Sequence, residues 1–122
     1  MNYKELIETA IEASVLASQE IMKVRKSGFD INYKTDKSPV TMADINASDA
    51  IISVLQATDI PLIGEEITNT KFEERSLWDN VWIFDPLDGT REFAKNSDEF
   101  CTCIAFIENN FPKIGVICSP IH

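Results

Sequence analysis

In the stretch WIFDPLDGTREF, residues 82–93, Asp85, Asp88 and Thr90 follow an apolar run and carry the oxygen atoms that metal and phosphate chemistry needs. One account is purely local. Asp-Pro starts turns, Asp-Gly fills them, and Thr90 can cap a helix begun by TREFAK. The other uses the same geometry for chemistry. A strand delivers Asp85 to its carboxyl end, the chain turns, and Asp88 returns to the same place. Two such carboxylates repel unless a hard cation lies between them. Gly89 lets the backbone approach a ligand, and the first amides of the following helix point at an anion. A second acidic pair, Glu65-Glu66, follows the short apolar run ending at Gly64. Thr41-x-x-Asp44 fits a capping box, which accounts for both residues without chemistry. Alternatively, Asp44 faces the site, accepts a hydrogen bond from Thr90, and with it polarises a metal-bound water.

The elements that must hold these residues are legible in the apolar spacing. Leu6, Ala10, Ala13, Ala17, Ile21 and Val24 recur at steps of three and four, which predicts one face of a long helix stopping near Ser27-Gly28. DINYK alternates as a strand does, and the turn-rich TDKSPVTMAD leads into a second helix with Ala47, Ile51, Val54 and Leu55 inward. DIPLIG reads as a short buried strand, TNTKFEERSLWDN as a surface excursion, and VWIF as a strand buried on both faces. CTCIAFIE and FPKIGVICSP, joined by Asn109-Asn110, predict a hairpin. Two helices packed on a mostly antiparallel sheet give an α+β layered class.

The chain has 122 residues, enough for one core, and is taken as a single domain, residues 1–122. Twenty acidic residues against eleven basic ones give a net charge of −9, so no basic surface exists to coat a nucleic acid. No apolar run is long enough to span a bilayer. The opening MNYKELIETA lacks the pattern of a secretory signal, so a cytoplasmic setting is expected. Cys101 and Cys103 are two apart in a strand and share a face. Nothing in the nearby sequence completes a ligand set around them, so they are expected to act as small buried hydrophobes in a reducing compartment. The chain ends at Ser119–His122 directly after an apolar strand, which suggests a cut, an open sheet edge and possible homo-oligomers.

KTDKSPVTMAD, then IGEE, then WIFDPLDGTREF, in that order, resemble the inositol monophosphatase superfamily of magnesium-dependent, lithium-sensitive phosphatases. The pattern D-P-[IL]-D-G-[ST] after an apolar strand with Trp is the specific element. Arg91-Glu92-Phe93 and the upstream KSPVT look most like the 3'(2'),5'-bisphosphate nucleotidase branch, which acts on adenosine 3',5'-bisphosphate. The resemblance implies the amino-terminal half of a layered αβαβα sugar-phosphatase fold. It implies that Glu65, Asp85 and the Leu87 carbonyl hold one Mg2+, and that Asp85 and Asp88 hold a second. Asp88, Gly89 and Thr90 would line the substrate phosphate, and Asp44 with Thr90 would orient the attacking water. The family's further signature, W-D-x-A-A-G, is absent, and Trp78-Asp79 does not replace it. An inositol monophosphatase-type enzyme, or a catalytically silent metal-binding module, remain the alternative expectations.

Overall fold

The structure, a computed structural model, describes residues 1–28, 31–33, 39–64 and 72–121. Helix α1, Tyr3–Ser27, starts where the Asn2 side chain accepts from the Glu5 amide at 2.9 Å, satisfying a donor that no helical carbonyl can reach. Arg25 and Lys26 sit in its last turn, where cations oppose the helix dipole, and Gly28 ends it. All six apolar positions expected to face inward are buried. Helix α2, Met42–Leu55, packs on α1. Both helices bury alanines (Ala10, Ala13 and Ala17 on one, Ala43 and Ala47 on the other), and small side chains let helix axes approach.

A two-residue ribbon, β1 (Asn32–Tyr33) with β2 (Pro39–Val40), joins the helices and is antiparallel. The main sheet comprises β3 (Leu62–Gly64), β4 (Asn80–Asp88), β5 (Cys101–Glu108) and β6 (Phe111–Cys118), in the order β3-β4-β5-β6. β3 and β4 are parallel, and the other pairs are antiparallel. Asn109 and Asn110 stand at φ 51° and 69°, and Glu108 pairs with Phe111 across them. Left-handed values at both central residues make a turn whose twist matches the strands, and asparagine tolerates them better than most residues. Short helices α3 (Phe72–Arg75) and α4 (Thr90–Ala94) complete the described elements.

Both long helices lie on one face of the sheet. Trp82, Phe84, Ile104 and Phe106 point into that layer and are buried, with the Trp82 and Phe106 rings 5.3 Å apart. The Trp82 indole nitrogen donates to Thr58 Oγ at 3.1 Å, so its one polar atom is satisfied in the core. Gly64 is required here, because a Cβ on it would lie 2.5 Å from the Phe84 ring.

Several expectations change. VWIF is not buried on both faces: Ile83 is 43% exposed, because no described element covers the far side of the sheet. The strand seen in DINYK is confined to Asn32–Tyr33, and the surface excursion contains one helical turn, α3. Thr90 is the first residue of α4 rather than its cap. Gly89 holds the cap position, so the Thr90 hydroxyl is released for other partners.

Candidate functional site

Asp85 and Asp88 are three residues apart, so a regular strand would send their side chains to opposite faces. The register of β4 against β5 shows why it does not. Asp85 pairs with Cys103 and Asp88 with Cys101, with an irregularity between them. Two residues on β4, Pro86 and Leu87, therefore oppose one on β5, Thr102. This bulge shifts the alternation by one. Leu87 turns into the core, and Asp88 joins Asp85 on the open face beside both cysteines. Proline suits the spot, since it has no amide to donate to the ladder. Its carbonyl accepts from Thr102 Oγ at 2.8 Å within the buried layer. Sequence reasoning missed Thr102, whose signal is a lone hydroxyl at an inward position between Phe100 and Ile104.

Gly89 follows at φ 97°, a conformation costly for any residue with a side chain. A Cβ there would also lie 2.8 Å from the Glu99 carbonyl oxygen. The chain thus folds back against the segment before β5 and enters α4. Because α4 has only five residues, its dipole is small, and the electrostatics of this corner come from its carboxylates.

Asp44 makes both sets of hydrogen bonds open to it. Its Oδ2 accepts from the Thr41 amide at 2.8 Å and from the Thr41 hydroxyl at 2.9 Å, completing the capping box of α2. Its Oδ1 accepts from Thr90 Oγ at 2.8 Å, across 46 positions of sequence. At 2% exposure, a carboxylate needs such a set of donors. Thr90 Oγ also lies 3.1 Å from the Leu87 carbonyl oxygen.

Arg25 is the other residue that local pattern could not reveal. From the end of α1 it donates to the Ser97 carbonyl at 2.9 Å and pairs with Asp98 at 3.0 Å. Its guanidinium lies 5.2 Å from the Phe100 ring centroid and 5.9 Å from that of Phe93. It ties the first helix to the segment packed behind Gly89. A cleft of about 400 Å³ opens at this corner, lined in part by Asp88, Gly89, Glu92, Asp98 and Glu99.

Cys101 and Cys103 share the open face, as their spacing predicts, but both are half-buried rather than core residues. Burial first, then the hydrogen bond with Cys101, push the Cys103 thiol up to about 12. The charges of Cys101, Asp88 and Asp85 add to this. Asp44, Asp85, Leu87, Asp88, Gly89 and Thr90 are thus gathered around one corner. Glu65 and its neighbour Glu66 lie outside the described residues. The strand leading to them, β3, runs parallel to β4, with Gly64 opposite Phe84, the residue before Asp85.

Two helices on one face of a mixed sheet, with a bulge turning paired carboxylates outward beside a threonine, define the α+β scaffold of a phosphatase fold. The chain belongs to the inositol monophosphatase family, whose sequence model matches residues 2–122. It is 38% identical over 120 residues to a 3'(2'),5'-bisphosphate nucleotidase CysQ of Salmonella typhimurium, covering 95% of this chain and 48% of that protein. A protein of the same name from Shigella flexneri is 44% identical over 94 residues, covering 75% of this chain and 38% of that protein. The crystal structure of CysQ from Bacteroides thetaiotaomicron superposes with a TM-score of 0.83 at 36% identity, covering 98% of this chain and 44% of that one. The chain spans about half the length of these relatives.

Proposed function

We propose that this chain contributes the carboxylate corner of a magnesium-dependent phosphomonoesterase. Its substrate in this reading is a small bisphosphorylated nucleotide, adenosine 3',5'-bisphosphate, cleaved to AMP and phosphate. The observation that carries the reading is the 2.8 Å bond from Thr90 Oγ to Asp44 Oδ1, which links a buried, fully satisfied carboxylate to the carboxylate corner. The names borne by the relatives favour the nucleotide over an inositol phosphate.

The donor set fits a hard cation. Asp85 and Asp88 are turned to one face by the bulge, and with the Leu87 carbonyl they offer only oxygen, the ligand type that Mg2+ prefers. Glu65 completes the set in this reading. Such cations, when bound, polarise the phosphoryl oxygens and make water more acidic.

The protein's own part follows from one proton. Thr90 has a single hydroxyl hydrogen and two acceptors, Asp44 at 2.8 Å and Leu87 at 3.1 Å. The shorter, charge-assisted bond claims it. Thr90 Oγ then keeps a lone pair for a proton of the attacking water, and the Leu87 carbonyl keeps one for a cation. The Thr41 amide and hydroxyl pin the far oxygen of Asp44, so the relay cannot rotate away. Asp88, Gly89 and Thr90 border the phosphate, and Gly89 keeps that approach free of a side chain. The setting we infer is the cytoplasm, which suits three free thiols.

Phosphate release from adenosine 3',5'-bisphosphate with Mg2+ tests this, using the chain alone and extended by the carboxyl-terminal half of the Salmonella relative. Thr90→Val should lower the rate by about 10²–10⁴-fold. Asp85→Asn should cost more than about 100-fold in magnesium affinity, and lithium should inhibit. A folded, extended protein inactive towards every phosphomonoester would sink the reading. The half-length match to the relatives favours a second one: the 122-residue chain binds cations without turnover. Calorimetry with Mg2+ alone, showing heat that Asp85→Asn removes and no phosphate release, would establish that outcome.

A further inference from the structure

We propose that Cys101, Cys103 and Asp88 form a binding site for a soft or borderline divalent cation of the zinc and cadmium class, on the open face of the sheet. The site stands on its own geometry. Only its sharing of Asp88 with a hard-cation centre rests on the phosphatase reading.

The two thiols occupy alternate positions of β5 on one face, and their sulfurs are 3.7 Å apart. Two thiolates at about 2.3 Å from a tetrahedral zinc are separated by roughly 3.8 Å. The strand therefore holds the pair at the bite that such an ion requires. The sequence showed no third ligand because that ligand arrives by register. The bulge sets Asp88 opposite Cys101, and a carboxylate oxygen and both sulfurs lie within 4.8 Å of one another. In a tetrahedral site the oxygen and a sulfur are roughly 3.6 Å apart. Closing that gap needs only a small swing of the exposed Asp88 side chain, which no described hydrogen bond holds in place.

The surroundings favour a cation. Asp88 and Cys101 line the acidic cleft with Glu92, Asp98 and Glu99. Negative charge focused in a cleft raises the local cation concentration. A bound divalent ion favours the thiolate form of both cysteines, because its charge stabilises the anion. The exchange balances as one M2+ taken up by two thiols with two protons released to solvent, and the fourth position is open to water. Neither thiol serves the phosphatase chemistry, which uses oxygen throughout.

The third cysteine supplies the control. Cys118 pairs with Thr102 and so faces the helix layer, where its sulfur contacts Ser18 Oγ at 3.1 Å. In a titration of the chain with Cd2+ alone, the ultraviolet thiolate-to-cadmium band should saturate at one equivalent. Cys101→Ser and Cys103→Ser should each abolish or sharply weaken it, and Cys118→Ser should leave it intact. Asp88→Asn should weaken binding by about 10–100-fold. No band in the native chain, a band that survives loss of both Cys101 and Cys103, or one lost with Cys118 alone would overturn the proposal. Should a serine variant fail to fold, cadmium NMR of the native chain decides: a shift characteristic of two thiolates upholds the site, and one or none refutes it. These readouts need no turnover, so they stand or fall apart from the phosphatase reading.

Discussion

On the helix-covered face of the sheet, Trp82, Phe84, Thr102, Ile104 and Phe106 are all buried and every polar atom named among them has a partner. On the other face, Ile83 is 43% exposed, Ile117 is 76% exposed, and Asp85, Asp88, Cys101 and Cys103 gather at one end. The covered face stabilises the domain. The open face gathers the carboxylates and thiols to which the proposed sites are assigned. A single extra residue in β4 decides which face Asp88 joins, so the two faces are coupled through the bulge.

The largest test of this contrast uses neighbouring residues. Trp82→Ala should cost about 3–5 kcal/mol of unfolding free energy, whereas Ile83→Thr should change it by less than about 0.5 kcal/mol, as read by guanidinium denaturation. Similar losses from both would mean that the open face is also core. Next, Gly89→Ala should destabilise by about 1–3 kcal/mol, through its positive φ and the clash with the Glu99 carbonyl. Gly115→Ala, where the added carbon meets nothing within 4 Å, is the matched control and should be close to neutral. Asp44→Ala strands the buried Thr41 amide and should cost about 1–3 kcal/mol. The exposed Asp88→Asn should stay within about 0.5 kcal/mol. If Asp88→Asn proved the costlier, the carboxylate corner would be structural rather than functional. The smallest effect concerns association. Light scattering should show self-association through the open face at high concentration, reduced by Ile117→Lys with little change in the unfolding midpoint.

What the sequence made legible was whatever depends on a short period. The step of three and four in α1 marks all six of its apolar inward positions, and Asn109-Asn110 announces its turn because few other pairs accept two left-handed conformations. Spacing also put Cys101 and Cys103 on one face. The turn expected at DPLD is instead a bulge within β4, which a period-two count does not show. The expectation at VWIF failed, because an apolar run does not reveal whether its second face is covered. Arg25 reaches a carbonyl 72 positions away, and nothing local to it announces that partner. Thr90 looked like a cap because hydroxyls usually are. The left-handed Gly89 took that place and left the hydroxyl for Asp44.

The two-residue turn at Asn109-Asn110 also sets an order in time. A hairpin of this kind closes in about 1–10 μs. The parallel pair β3–β4 must first close the connection between Gly64 and Asn80, an entropic cost met before any contact rewards it. We expect β5 and β6 to pair early and to serve as the template on which β4 finds its register, bulge included. Ile104→Val should then slow folding, with a φ-value well above that of Ile63→Val, which should mainly speed unfolding. The reverse ranking would mean that the carboxylates are laid down before the strand that aligns them.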